Sequence, residues 1–163
     1  MSHTLENLMY TVAQLFLLPT LLLIALLFLY AFWVLGAFLM QAWQRRGSAG
    51  RPLVQHYRLR PQASDDELDV HAHKLLEGAR IASRVTPMLG LVATMIPMGP
   101  ALRSLSDGNL ASVSDNLTVA FSAVILSLIA ASITYWVVNV RRRWLAEELL
   151  EIAALRRASS GAA

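Results

Sequence analysis

The sequence predicts an all-α membrane protein: three transmembrane helices with helical extensions on the cytoplasmic side. Three observations lead there. Hydrophobic residues make up 56% of the 163-residue chain and charged ones only 15%, against roughly 25% charged in an average soluble domain. The apolar excess falls in blocks, which a globular core does not require. Cationic side chains gather between and after those blocks in a pattern that alternates sides of a bilayer. A soluble domain this small exposes too much surface to carry so little charge.

The first block covers residues 12–40, with no charged side chain between Glu6 and Arg45. About 20 residues suffice to cross the hydrocarbon core, so it spans with length to spare. It is too long for a signal-peptide core, and no Lys or Arg precedes it. Residues 1–44 therefore form an outer end and a first span. Tyr10, Tyr30, Trp33 and Trp43 are candidates for interfacial contacts, with Tyr30 and Trp33 inside the span. In segment 45–84, residues 47–61 read as a connector, punctuated by Ser48, Gly50 and Pro52. Ser64-Asp65-Asp66-Glu67 is a capping box. Leu68, Ala72, Leu75, Leu76 and Ala79 follow at the spacing of an amphipathic helix. Nothing breaks that helix before Pro87, so it can run into the second block.

The second block, residues 85–102, carries Pro87, Pro97 and Pro100 and alone is ambiguous between a buried helix and a span. Residues 103–116 form a hairpin with a turn signal at Ser106-Asp107-Gly108-Asn109. Ser112 and Asp115 offer a second capping box there. The third block, 117–140, is free of charge and ends at Arg141, Arg142 and Arg143. In segment 141–163, Leu145, Leu149 and Ile152 share one helical face, and Arg143–Glu147 is an i,i+4 pair. Residues 159–163 read as a disordered tail. No internal repeat is visible.

Charge fixes the orientation. Of the 14 Lys and Arg, eight lie between the first and second blocks, five follow the third, and only Arg103 sits in the hairpin. The positive-inside rule then puts segment 45–84 and the C-terminus in the cytoplasm. The N-terminus and hairpin lie outside, and alternation makes the weak second block a span.

Several function classes are excluded. A net charge of +3 invites a nucleic-acid reading, yet the basic residues sit where a membrane protein needs them. There is no cysteine, hence no disulfide or thiolate metal site. His71 and His73, two apart, point different ways on a helix, and His3 and His56 are isolated, so no metal site is expected. No nucleophile elbow, phosphate-binding Gly-rich loop or paired catalytic carboxylates appear. Glu147, Glu148 and Glu151 read most simply as a solvated face. The chain is not expected to be an enzyme or to hold a cofactor.

No Asp, Glu, Lys, Arg or His lies within any span. Intramembrane ionisable groups mark ion pathways because burying them is so costly. If protons cross, the titrating group comes from elsewhere. What the spans do offer is small and hydroxyl residues: Ala120, Ala123, Ser127, Ala131 and Thr134 on the third, and Gly90, Ala93, Thr94 and Pro97 on the second. One reading is close helix packing. The other is a face that lines a pore or cradles another helix, and the two are compatible. Pro97 cannot donate to the Ala93 carbonyl, leaving an acceptor beside the Thr94 hydroxyl. In hydrocarbon such an acceptor needs a neighbouring helix, a water or a lumen.

Thr86-Pro87-Met88-Leu89-Gly90-Leu91-Val92-Ala93-Thr94 resembles the second-span signature of the MotA/TolQ/ExbB proton-channel family, approximately Pro-x-Leu-Gly-Leu-x-Gly-Thr. The third span, through Ala120, Ser127-Leu128 and Ala130-Ala131 to Asn139 before a basic run, is similar to that family's last span. The likeness covers about residues 65–150. It implies a ring, a homopentamer, whose second and third helices surround a single-span ExbD/TolR/MotB-like partner. That partner supplies an essential intramembrane Asp. It implies the channel-forming subunit of a motor in the bacterial inner membrane, driven by the proton-motive force and energising envelope transport or force generation. Thr94 falls on the family's polar threonine of the second span. The corresponding third-span position is Val124, with Ser127 one turn away in place of a family glycine and Ser122 close by. Pro97 and Pro100 replace small residues. Thr94, Ser127, Ser122, Thr134, Ala93 and Pro97 are thus the candidate pathway residues. Gly90, Ala120, Ala123 and Ala131 are candidate helix or partner contacts. The alternative from another class is a non-conducting scaffold that packs partner helices through the same faces.

Overall fold

The computed structural model describes residues 2–45, 51–60 and 62–160. Among them are four helices: α1 (Ser2–Arg45), α2 (Pro52–Leu59), α3 (Asp65–Ser106) and α4 (Leu110–Ser160). The stretches Leu8–Arg45, Asp65–Ser106 and Leu110–Ala158 are each long and apolar enough to cross a membrane. At 1.5 Å per residue the 51 residues of α4 extend about 76 Å, well beyond a hydrocarbon core of roughly 30 Å. The amphipathic segment and the second block are thus one helix, and the third block continues without a break past its arginines.

The chain divides into two compact units: Met1–Phe32 with Ala82–Ile133, and Trp33–Ile81 with Thr134–Ala163. In the first, Ile24, Ala93 and Ala123 form a small buried core with Leu21, Leu89 and Leu126 packed on it. Most large side chains here point outward, Leu15, Leu18, Met88, Leu91 and Phe121 among them. That is an inside-out distribution for water and an ordinary one for lipid, where Leu gains nothing by leaving the surface. The hydroxyls are tied down locally: Thr118 Oγ1 donates to Ser114 O and Ser122 Oγ to Thr118 O, each at 2.8 Å, as hydrocarbon requires.

The α3–α4 connection is a tight turn. Asn109 N donates to Ser104 O at 2.9 Å and Gly108 N to Leu105 O at 3.1 Å, a Schellman closure. It needs a left-handed residue, and Gly108 supplies φ 74°. Asn109 then caps α4, its Oδ1 accepting from Ser112 N at 3.2 Å. This differs from the sequence expectation, which began the helix at a Ser112 capping box. The Asn side chain closer to the glycine takes the amide of the third helical residue, Ser112, so α4 starts one turn earlier.

In the second unit, Leu53, Val54, Ala63, Leu68, Ala72, Leu145 and Ile152 form the core. The expected connector at 47–61 contains a helix, α2, because Pro52 pre-sets its first turn and Leu53 and Val54 are buried; residues 46–50 and 61 lie outside the described residues. Ser64 caps α3 as expected, accepting from Glu67 N at 3.2 Å. Arg156 binds the Asp65 carboxylate and the Ala63 carbonyl and lies 5.2 Å over the Tyr57 ring. The helix of α4 runs through Ser159 and Ser160, two residues of the expected tail, whose remainder at 161–163 lies outside the described residues.

Candidate functional site

Two faces of the long helices hold the residues singled out by sequence. On α3, Thr86, Gly90, Ala93, Pro97 and Ala101 are all buried, at offsets of 4, 3, 4 and 4. On α4, Ala120, Ala123, Ser127, Ala130, Ala131, Thr134 and Val137 are buried likewise. Helical periodicity puts each set on one side of its helix.

The two helices approach closely at Gly90. A Cβ there would stand 2.9 Å from Ser127 Cβ and nearer still to its Oγ, so only glycine fits against this serine. Ser127 is 1% exposed, and its hydroxyl donates to Val124 O at 2.8 Å. Ala93 meets Ala123 in the same unit's core. The structure thus brings together Gly90 with Ser127 and Ala93 with Ala123, as close-packed contacts between α3 and α4.

Thr94 stands apart from this seam. It is half-buried, and its Oγ1 donates to Leu91 O at 2.7 Å. Ser122 is exposed on the side of α4 away from the seam, its hydroxyl bound to the preceding turn. These two residues are not enclosed, whereas Ser127 and Thr134 are buried by the chain itself. Pro97 is buried with them. A neighbouring helix answers the other proline of this turn: Pro100 cannot donate to Ile96 O, and Gln14 of α1 reaches that carbonyl at 3.5 Å.

The second unit holds a charged node that sequence reasoning placed on a solvated face. Glu148 is 1% exposed. One carboxylate oxygen accepts from Leu53 N at 2.8 Å, and the other is bound by the Arg45 guanidinium. Arg45 also donates to Trp144 O at 3.2 Å and lies 4.5 Å over the Trp144 ring. Trp144 in turn stacks on Phe38 at 5.1 Å. The carboxylate thereby joins the end of α1 and the start of α2 to α4. Burial was readable in the sequence: Leu145, Glu148 and Ile152 are spaced by 3 and 4 and lie on one face. Glu147 and Glu151 do stay solvated, pairing with Arg143 at 3.9 Å and Arg51 at 2.7 Å. His56, isolated in sequence, stacks on His71 with ring centroids 4.4 Å apart. Among the described residues no group of three or more His, Cys, Asp or Glu could hold a metal ion.

The model of the MotA/TolQ/ExbB proton channel family matches residues 23–154. The chain belongs to this family. Its membership reaches further toward the N-terminus than the residue likeness at 65–150, taking in half of the first span. No curated protein and no solved structure matches the chain significantly. A MotA/TolQ/ExbB protein is a membrane protein of a proton-channel family, and that is the frame in which the hydroxyls of α3 and α4 are to be understood.

Proposed function

We propose that this MotA/TolQ/ExbB protein is the channel-forming subunit of an inner-membrane motor driven by the proton-motive force. It works as a ring, a homopentamer, around a single-span partner that contributes an intramembrane Asp. The observation that carries this reading is a combination: a proton-channel family chain with three apolar spans and no Asp, Glu, Lys, Arg or His in any of them. A lone chain of this kind has hydroxyls to hydrate a proton but no group to hold one. In this reading Thr94 and Ser122, the accessible hydroxyls, face the partner. The seam of Gly90, Ala93, Ala120, Ala123, Ser127 and Ala131 keeps α3 and α4 close, with Pro97 and Thr134 on the same buried side. Each charge moved is worth about 2.3 kcal/mol per 100 mV, so a few protons suffice for mechanical work at the envelope. The excess of Lys and Arg in 45–84 and after 140 supports a cytoplasmic C-terminus and an outer N-terminus.

The test is proton flux into vesicles carrying the chain with and without its single-span partner. Flux that requires the partner and vanishes when the partner's Asp becomes Asn supports the motor. Flux from this chain alone refutes the need for a borrowed acid. Absence of flux under every condition favours a non-conducting scaffold.

A further inference from the structure

In the second unit, α1, α2, α3 and α4 together enclose a partly open cavity of about 240 Å³. Its walls divide by chemistry. Pro52, Leu75, Leu76 and Leu145 give it an apolar lining, and Gln41, Arg141 and the Trp144 indole a polar one. Two helices independently place the polar side at one level. Gln41 is the first residue after the apolar block 12–40, and Arg141 the first after the charge-free stretch 117–140. Where a span ends, the phosphate layer of the bilayer begins, and Arg and Trp are the side chains that settle there. Trp144 is stacked on Phe38 and lies under the Arg45 guanidinium, so its position is fixed by the chain's own contacts.

We infer that this cavity binds the phosphoglycerol headgroup of an anionic phospholipid, with the phosphate on Arg141 and Gln41. A guanidinium presents several donors in a plane that matches phosphate oxygens, and the carboxamide adds a neutral donor. The volume suits a headgroup and its glycerol, not whole acyl chains. Those leave over the leucines, of which Leu75 is 42% exposed, along the outward apolar faces. Basic pockets between membrane helices on the cytoplasmic side favour such headgroups. The inference rests on α1 and α4 spanning the membrane, and not on proton conduction.

The full chain, purified in its native assembly, is placed in nanodiscs of phosphatidylcholine with or without phosphatidylglycerol. Lipid retained through delipidation is counted by native mass spectrometry. Wild type is expected to hold phosphatidylglycerol selectively. Arg141→Ala should weaken that binding at least about tenfold, as loss of a charge-assisted bond does. Arg142→Ala, an exposed neighbour outside the cavity, should stay within about fivefold, the effect of a surface charge. Equal losses in the two variants, or equal retention of phosphatidylcholine, would overturn the proposal. So would inorganic phosphate displacing the lipid, since that marks a free-phosphate site. If Arg141→Ala fails to assemble, Gln41→Ala decides: severalfold weaker phosphatidylglycerol binding supports the site, and unchanged binding refutes it. Nanodiscs offer both leaflets, so a wrong orientation or a silent channel leaves this readout untouched.

Discussion

Replacing Glu148 by Ala should be the most damaging single change in the second unit. The carboxylate is 1% exposed and has two partners it cannot exchange for water: the Leu53 amide at 2.8 Å and the Arg45 guanidinium. Loss of the acceptor leaves a buried N–H unsatisfied, which costs about 1–3 kcal/mol. Arg45, with its side chain 16% exposed, keeps the Trp144 carbonyl and the exposed Glu147 carboxylate at 3.8 Å but loses its buried counter-charge. Breaking a buried pair by removing one member typically costs about 3–5 kcal/mol, and the Leu53 term is counted within that range. For chains of this length each kcal/mol lowers Tm by about 2–4 °C, so a drop of roughly 10 °C is expected. The assay is thermal unfolding in mild detergent, with Glu151→Ala as control. Glu151 and Arg51 form a comparable bond at 2.7 Å with side chains 43% and 42% exposed, and an exposed pair contributes about 0–1 kcal/mol. A Glu148→Ala protein that melts with the Glu151→Ala control would refute the reasoning, because burial and not the ion pair as such is what separates them.

Gly90→Ala should force α3 and α4 apart at Ser127, costing about 1–3 kcal/mol as overpacking does. Adding Ser127→Gly should restore stability, since the next neighbour, Val124 Cα, would be 3.8 Å from the new Cβ; detergent melting curves of the single and double variants test this. Thr94→Val should cut partner-dependent proton flux while leaving the assembly's size on gel filtration unchanged; unaltered flux would mean that Thr94 does not face the pathway. Asn109→Ala removes the acceptor for Ser112 N and should cost about 0.5–2 kcal/mol, read as a lower Tm with the helix count intact.

Periodicity and charge made most of this fold legible. The uninterrupted α3 follows from the absence of a breaker between the Ser64 cap and the hairpin, for prolines inside an apolar helix are tolerated where neighbours answer the freed carbonyls. Gln14 at Ile96 is such an answer, and no local pattern could have paired residues so far apart in sequence. The short α2 was hidden for a different reason. Eight residues are too few for helical spacing to stand out, and its stability comes from Leu53 and Val54 meeting α3 and α4, a tertiary fact. Glu148 was misplaced because a carboxylate among Glu147 and Glu151 looks solvated by composition. Its spacing with Leu145 and Ile152 carried the opposite message.

The candidate site was legible in its residues and not in its partition. Sequence alone lets one small-residue face pack or line a pathway, and the two uses predict the same spacing. Contact geometry separates them at the level of single side chains. Ser127 packs against Gly90, and its hydroxyl, bound to Val124 O, is enclosed within the chain. Of the candidate pathway hydroxyls, those that stay open are Thr94 on α3 and Ser122 on the other side of α4 from Ala120 and Ala123. In the proposed function a proton therefore meets Thr94 and Ser122, and not the enclosed Ser127. That makes Thr94→Val a sharper probe of the proposed pathway than any substitution at Ser127, whose hydroxyl is already bound to Val124 O inside the α3–α4 contact.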